Sequence, residues 1–342
     1  MIPVAVLTGF LGSGKTTLLA RLLRHPDFAR TAVIITEFGE VGLDHDLIET
    51  SEESFVTLQT GCLCCTIRGD LARTLADILR RRDQGEVAAF ERIVIETSGL
   101  ADPAPILHAL MSDAGLAERL ALAGVVVTVD AVNGLDTLGR QPESVKQVAV
   151  ADQLVLTKTD LLEGGADELL ARLSALNPAA RVEQASFGAI DPAQLFTAGP
   201  GVAAGKAADI ADWLGPDLPS DDHAHHGHAA GGHDAQITCF AILREEPIRA
   251  VTLTLLLEAL ADHCGADLLR LKGIVNVAES PERPAVIHGV QHVFHPPAWL
   301  ERWPSKDRRS RLVFIGRGIR QAWVEALLTA LEAEVGEVAA RS

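Results

Sequence analysis

From residue 3 onward, short apolar runs rich in Val, Ile and Leu alternate with stretches whose apolar residues recur every three or four positions. The first pattern predicts buried strands over Pro3 to Thr8, Ala32 to Thr36, Phe55 to Gln59, Arg92 to Glu96, Val125 to Asp130, Leu154 to Thr157 and Val182 to Ala185. The second predicts helices over Lys15 to Arg24, Leu71 to Arg82, Ala104 to Met111 and Leu161 to Leu176. Strand and helix in alternation imply βαβ units, hence an α/β fold with a doubly wound, mainly parallel sheet of the nucleotide-binding type. Around Thr197 to Ala235 the pattern dissolves into Gly, Ala, Pro, Asp and His, which reads as a linker. Beyond it, strands near Ile237 to Leu243, Leu268 to Val277, Ala285 to Val290 and Leu312 to Ile315, with helices over Pro247 to Ala261 and Ile319 to Leu331, predict a smaller α+β domain. The expected division is residues 1–198, a linker over 199–235, and a C-terminal domain over 236–342.

A chain of 342 residues agrees with two domains. The formal net charge of −16 repels phosphate backbones and anionic membranes, and 10 Phe, 4 Trp and no Tyr offer few platforms for stacking bases. Nucleic-acid binding and membrane docking are therefore set aside. The longest apolar stretch, Leu116 to Val132, is cut by Glu118, Arg119 and Asp130, and the first ten residues carry no basic leader, so no membrane span or export signal is expected. Five cysteines, three of them crowded between positions 62 and 65, suit thiolate or metal chemistry better than disulfides, and a cytoplasmic setting is the expectation.

Gly9-Phe10-Leu11-Gly12-Ser13-Gly14-Lys15-Thr16 follows the first strand and opens the first helix, the context a phosphate-binding loop requires. Glycines at 9, 12 and 14 let the loop's N–H groups face phosphate oxygens, Lys15 reaches the outer phosphates, and Thr16 offers a hydroxyl to Mg²⁺. Ser13 and Thr17 complete the set. Thr157-Lys158-Thr159-Asp160 follows a later apolar strand, as the guanine-reading element of GTPases does. A carboxylate at Asp160 accepts from the N1–H and 2-amino groups of guanine, and adenine would leave it unpaired, so GTP is the expected nucleotide. Ser186, after the next strand, is a further candidate for that pocket. Ile93-Val94-Ile95-Glu96-Thr97-Ser98-Gly99 ends a strand in an acid suited to the Mg²⁺ shell, and the Gly99 N–H three residues on is suited to sensing a γ-phosphate. Lys15, Thr16, Glu96 and Gly99 are the expected catalytic groups. Asp102 is read as a helix cap.

Cys62, Cys64 and Cys65 put three thiolates within one turn, enough to bind Zn²⁺ while leaving a fourth position for an exchanging group. A C-x-x-C redox pair lacks the spacing, and Cys239 and Cys264 stand apart as expected core residues. Acids follow the second strand, and Glu37 is the candidate fourth ligand. His223, His225, His226, His228 and His233 crowd the linker, either as a loose metal-buffering arm for Zn²⁺, Ni²⁺ or Co²⁺ or as a solvated tract. His288, His292 and His295 are expected at a surface or in a sheet, and Trp299, Trp303 and Trp323 in the second core.

Taken together, GFLGSGKTTLL, TEFGEVGLDHDLIE, GCLCC, IVIETSGLADP, TKTD, LLRLKGI and SRLVFIGR resemble the CobW-type GTPases, relatives of the nickel-insertion GTPases, over residues 2 to about 331. That resemblance implies a GTP-hydrolysing metallochaperone that uses Mg²⁺, carries zinc, with cobalt or nickel as alternatives, at Cys62, Cys64 and Cys65, and hands it to an apo-metalloprotein client. It leaves homo-oligomerisation open. Two positions depart from the family pattern: Thr36 stands where Asn usually precedes the switch acid, and TKTD replaces NKxD, so the contacts an Asn amide makes elsewhere either come from Thr157 or are absent. Leu100 stands where Ras-type GTPases have glutamine, which implies a low intrinsic rate. Two rivals differ in class: a regulator that senses metal without transferring it, and a small-molecule kinase, against which TKTD speaks.

Overall fold

A computed structural model describes residues 1–38, 55–60, 65–162, 164–185, 190, 195, 213–214 and 237–341. Cys62, Cys64, Ser186 and the histidines between 223 and 233 lie outside these residues, as do the side chains of Glu37 and Cys65. The chain divides into two compact units, one on residues 1–174 and 179–203, the other on 175–178 and 204–342.

The first unit is built on a seven-stranded sheet of β1 (Ile2–Gly9), β2 (Thr31–Phe38), β3 (Phe55–Thr60), β4 (Arg92–Thr97), β5 (Leu120–Asp130), β6 (Gln153–Thr157) and β7 (Arg181–Gln184). Its order is β3-β2-β4-β1-β5-β6-β7, and every pairing is parallel. All eleven residues of β5 are buried, and Val4, Val6 and Leu7 of β1 are at most 1% exposed, because helices on both faces leave a central parallel strand no solvent side. The helices are α1 (Lys15–Leu23), α2 (Cys65–Asp83), α3 (Ala104–Ser112), α4 (Ala114–Ala117), α5 (Gly134–Arg140), α6 (Pro142–Val150) and α7 (Asp167–Leu176). In α1, Lys15, Leu18, Leu19 and Leu22 are buried at three and four spacing, which seats its apolar stripe on Leu7, Val94 and Val126.

Sequence periodicity overran one helix and missed three, the four-residue α4 among them. A single helix from Leu161 to Leu176 is replaced by a 3-10 turn over Thr159–Leu161 and then α7, separated where Gly164 takes φ +107°. The pair α5 and α6 was not anticipated, since Pro142 splits the pattern and the buried face of α6 includes Ser144 and Gln147, which look polar in sequence.

The second unit pairs β8 (Ile237–Arg244), β9 (Leu268–Val275), β10 (Ala285–Val290), β11 (Val293–Phe294) and β13 (Ser310–Arg317) in the antiparallel order β11-β10-β9-β13-β8, with β12 (Ala298–Trp299) beside β10. Phe240, Ile242, Leu271, Leu312 and Phe314 form one core with Leu253, Leu256 and Leu260 of α8 (Ala250–Cys264) and Val324 and Leu328 of α9 (Gln321–Arg341). Alternate residues of β9 bury cations instead: Arg270 and Lys272 are at most 1% exposed, and Lys272 lies 5.2 Å over the Trp213 ring. Trp303 is buried and Trp323 packs on the core, but Trp299 is 42% exposed because it sits on a two-residue strand at the sheet's margin. His288 is buried in β10 and His292 is exposed. Cys239 and Cys264 are half-buried, not full core residues, and burial pushes the Cys239 thiol up to about 12 against a smaller pull from Lys272.

Candidate functional site

The parallel strands deliver their following loops to one edge of the sheet, with β1 at the centre, where an open α/β sheet offers its ligand crevice. The loop after β1 has Gly9, Gly12 and Gly14 at φ +141°, +70° and +89°, backbone that L side chains avoid. At Gly9 there is also no room: a Cβ would lie 2.4 Å from the Thr128 carbonyl oxygen and 2.8 Å from the Ser13 hydroxyl. Gly14 in its left-handed conformation starts α1, so the orphan N–H groups of that helix face the loop's hollow.

Lys15 is folded into this hollow, 8% exposed, its Nζ donating to Gly9 O at 2.9 Å and Phe10 O at 3.1 Å. Burial lowers the pKa of its ammonium, and the nearby Glu96 carboxylate works to raise it. Those two carbonyls hold the charge in place until an anion replaces them. Thr16 donates to Glu96 Oε1 at 2.7 Å, so the two oxygen groups assigned to Mg²⁺ from sequence are already neighbours, as a shared cation requires. Thr17 and Gly12 are exposed. A hydroxyl chain stiffens the floor: Ser13 bonds Thr128 at 2.6 Å, Thr128 donates to Thr8 O at 3.3 Å, and Thr97 donates to the Thr8 hydroxyl at 2.6 Å. Glycine torsions, the buried lysine and the Thr16–Glu96 pair fit a Mg²⁺-bound nucleoside triphosphate.

The loop after β4 presses Gly99 on the phosphate loop, where a Cβ would lie 2.7 Å from the Leu11 backbone nitrogen. Asp102 is not the N-cap of α3, which is Pro103; it accepts from Ala104 N at 3.0 Å across that proline and also pairs with Lys146 at 3.2 Å.

The loop after β6 joins from the other side. Thr157 donates to Ser13 O at 2.7 Å and lies 3.3 Å from Val129 O, so its hydroxyl ties the loop after β6 to the phosphate loop. Lys158, at φ +58°, pairs with Asp130 Oδ2 at 2.7 Å. Asp130 also accepts from Val132 N, Asn133 N and Asn133 Nδ2. Burial works to raise its pKa, but the bonds from Lys158 and Asn133 together hold it below the usual carboxylate value. Asp160 is exposed in the 3-10 turn that follows, and the N-cap of that turn is Lys158, so capping does not account for Asp160.

For the candidate metal ligands read from the sequence, the backbone of β2 and β3 is informative. β2 and β3 run parallel with Glu37 opposite Gln59 and Phe38 opposite Thr60, so Glu37 leaves the sheet beside the strand that leads into Cys62, and Cys65 opens α2. Sequence reasoning missed Thr128, Asp130 and Gln147. An acid ending an apolar strand, the signal that singled out Glu96, applies equally to Asp130; Gln147 has no such signal.

Residues 3–184 match the family described as CobW/HypB/UreG, nucleotide-binding domain, and residues 237–332 the cobalamin synthesis protein cobW C-terminal domain. The chain belongs to the CobW-type P-loop GTPases. Among CobW-type relatives, the Escherichia coli protein named zinc chaperone YjiA is 33% identical over 330 residues, 96% of this chain and 98% of its own length. A Sinorhizobium protein named zinc chaperone CobW is 30% identical over 369 aligned positions, 96% of this chain and 97% of its own. The crystal structure titled Zn(II)-bound YjiA GTPase superposes with a TM-score of 0.68 at 28% identity, covering 96% of this chain and 98% of that one. Two CobW-type domains in this order account for both units, and no described helix is long and apolar enough to cross a membrane.

Proposed function

We propose that the chain is a GTP-driven zinc chaperone in which hydrolysis at the phosphate loop controls a Zn²⁺ site made by Cys62, Cys64 and Cys65 with Glu37, and that it delivers the ion to an apo-metalloprotein client. The observation that carries the coupling is the β2–β3 pairing, which sets Glu37 next to the strand leading into the cysteines on the edge that also holds Lys15 and Gly99. The names borne by the full-length relatives support zinc as the cargo.

Hydrolysis adds water across the β–γ phosphoanhydride and yields GDP and phosphate. Gly9, Gly12, Ser13, Gly14 and Thr17 belong to the cradle for the phosphates, and Lys15 exchanges its two backbone carbonyls for phosphate oxygens. Mg²⁺ neutralises charge on the phosphates when bound, and Thr16 and Glu96 are the groups that hold it. Gly99 offers its N–H to the γ-phosphate, so loss of that phosphate frees the loop after β4. Thr157, Lys158 and Asp160 orient the guanine. Three thiolates make a tight zinc site, and a single carboxylate is the ligand most easily withdrawn for handover.

The test is a chelator-competition titration of Zn²⁺ on the full chain with a non-hydrolysable GTP analogue and with GDP, followed by transfer to an apo-metalloprotein acceptor. Different affinities in the two states, with transfer on hydrolysis, support the reading. Retention of zinc after hydrolysis in the presence of acceptor would select a metal-sensing regulator instead.

A further inference from the structure

Gln147 is 1% exposed in α6, and its one amide nitrogen donates to two carbonyls of the loop after β4, Gly99 O at 3.2 Å and Ala101 O at 3.1 Å. Its neighbour Lys146 reaches the same loop through Asp102 Oδ2 at 3.2 Å. A third restraint is internal: Ala101 N donates to Ser98 O at 3.0 Å. In a trans peptide, fixing the Ser98 carbonyl fixes the Gly99 N–H in the opposite direction, and fixing the Gly99 carbonyl does the same for the Leu100 N–H. The Gly99 N–H suited to the γ-phosphate is therefore aimed by the loop's own Ala101 N, and Gln147, on a helix outside the phosphate loop, fixes the next peptide and the Ala101 carbonyl that complete the same turn.

The amide's other end argues that this is more than packing. Gln147 Oε1 is buried without a hydrogen-bond partner among the described residues. An apolar side chain of the same volume would fill the space without that cost, so what the glutamine contributes is its pair of donors. A restraint of hydrogen bonds is also one that can be exchanged when the loop moves, as a permanent apolar contact is not.

We propose that Gln147, assisted by Lys146, is the positioning residue that holds the loop of residues 98–102 against the phosphate loop and so sets how strongly the chain prefers a guanosine triphosphate to the diphosphate. The inference rests on the GTPase reading and deepens it: the preference is stored in α6, outside every motif that touches nucleotide. Met at this position keeps the volume and removes both donors. In Gln147→Glu the ionised side chain has no donor, and protonation returns one, which gives the clamp a pH signature.

The experiment measures affinities of the full-length protein for the β,γ-imido analogue of GTP and for GDP, with Mg²⁺, by titration, alongside thermal melting and steady-state kinetics. Gln147→Met is expected to lower the triphosphate-to-diphosphate affinity ratio about tenfold, almost wholly on the triphosphate side, to lower kcat, and to lower the melting temperature modestly, because the Gly99 and Ala101 carbonyls lose their donor. Lys146→Met, at a partly exposed site that tolerates change, is expected to lower the ratio about twofold to threefold. In Gln147→Glu the ratio should recover as pH falls, while the wild-type ratio stays flat over the same interval. A ratio within twofold of wild type in Gln147→Met, or no pH difference between Gln147→Glu and wild type, makes Gln147 a packing residue and overturns the proposal. Wild-type protein with no preference for the triphosphate removes the GTPase reading and the clamp together; a preference that survives the substitutions removes the clamp alone.

Discussion

Asp160 and Thr157 sit three residues apart and do separable jobs, which substitutions can distinguish. Asp160 is exposed and in the proposed reading uses its charge on the base, so Asp160→Asn should weaken GTP by at least tenfold, about 1.4 kcal/mol, and improve xanthosine triphosphate, whose ring presents a carbonyl where guanine has an amino group. Competition titrations with both nucleotides check this; an unchanged preference would place Asp160 outside the base pocket. Thr157 is buried, and its hydroxyl joins two loops. Thr157→Val leaves the Ser13 carbonyl without its donor, a cost of roughly 1–3 kcal/mol. It should weaken GTP and GDP by one common factor, since the tie does not depend on the γ-phosphate. A selective loss of GTP, the pattern expected of Gln147→Met, would show that the guanine loop also acts on the γ-phosphate sensor.

At the scale of elements, the glycine loop, the acid at the end of β4 and TKTD were legible because each is a run of neighbours in sequence whose chemistry demands those residues. The central strands of the first sheet were legible too, since burial on both faces writes continuous apolar runs. What was not legible lies between elements. Asp130 matters because β5 ends beside β6, Asp130 opposite Thr157, which brings it to Lys158; Gln147 matters because α6 packs beneath the loop after β4. Neither relation has a local signature, and a buried glutamine interrupts the apolar period that would have announced α6. The Asp130–Lys158 pair carries its own prediction. Because the folded pKa of Asp130 lies below its ordinary 3.8, its contribution to stability is complete above that value and is lost as pH falls through the lowered one. The stability difference between wild type and Asp130→Asn, from denaturant unfolding, should be flat through the neutral range and shrink only below pH 3.8. A difference that shrinks already near neutrality would assign it to a histidine instead.

For the whole molecule the decisive question is whether two chemistries on one sheet edge communicate. The order β3-β2-β4-β1 puts three strand spacings of about 4.8 Å, roughly 14 Å, between the strand leading into the cysteines and the strand leading into the phosphate loop. The loop carrying Gly99 leaves from β4, between them. In the proposed mechanism a γ-phosphate that orders that loop acts two strands from β3 and one from β2, which carries the proposed ligand Glu37, and a shift there changes the ligand set presented to zinc. Linkage makes the effect reciprocal: whatever factor separates zinc affinity in the triphosphate and diphosphate states must also separate nucleotide affinity with and without zinc, and coupling of this kind is typically about 5 to 150-fold. Cys64→Ser should weaken stoichiometric Zn²⁺ binding and abolish the zinc dependence of GTP affinity, while leaving GTP affinity without zinc unchanged, since no cysteine belongs to the phosphate cradle. Deleting residues 223–233 should change neither quantity, because imidazoles far along the chain add only loose ligands. Parallel titrations of zinc and nucleotide on the three proteins decide the matter. Equal zinc affinity with the GTP analogue and with GDP in the wild type would mean that the metal site and the nucleotide site are independent, and the chaperone mechanism would fall with them.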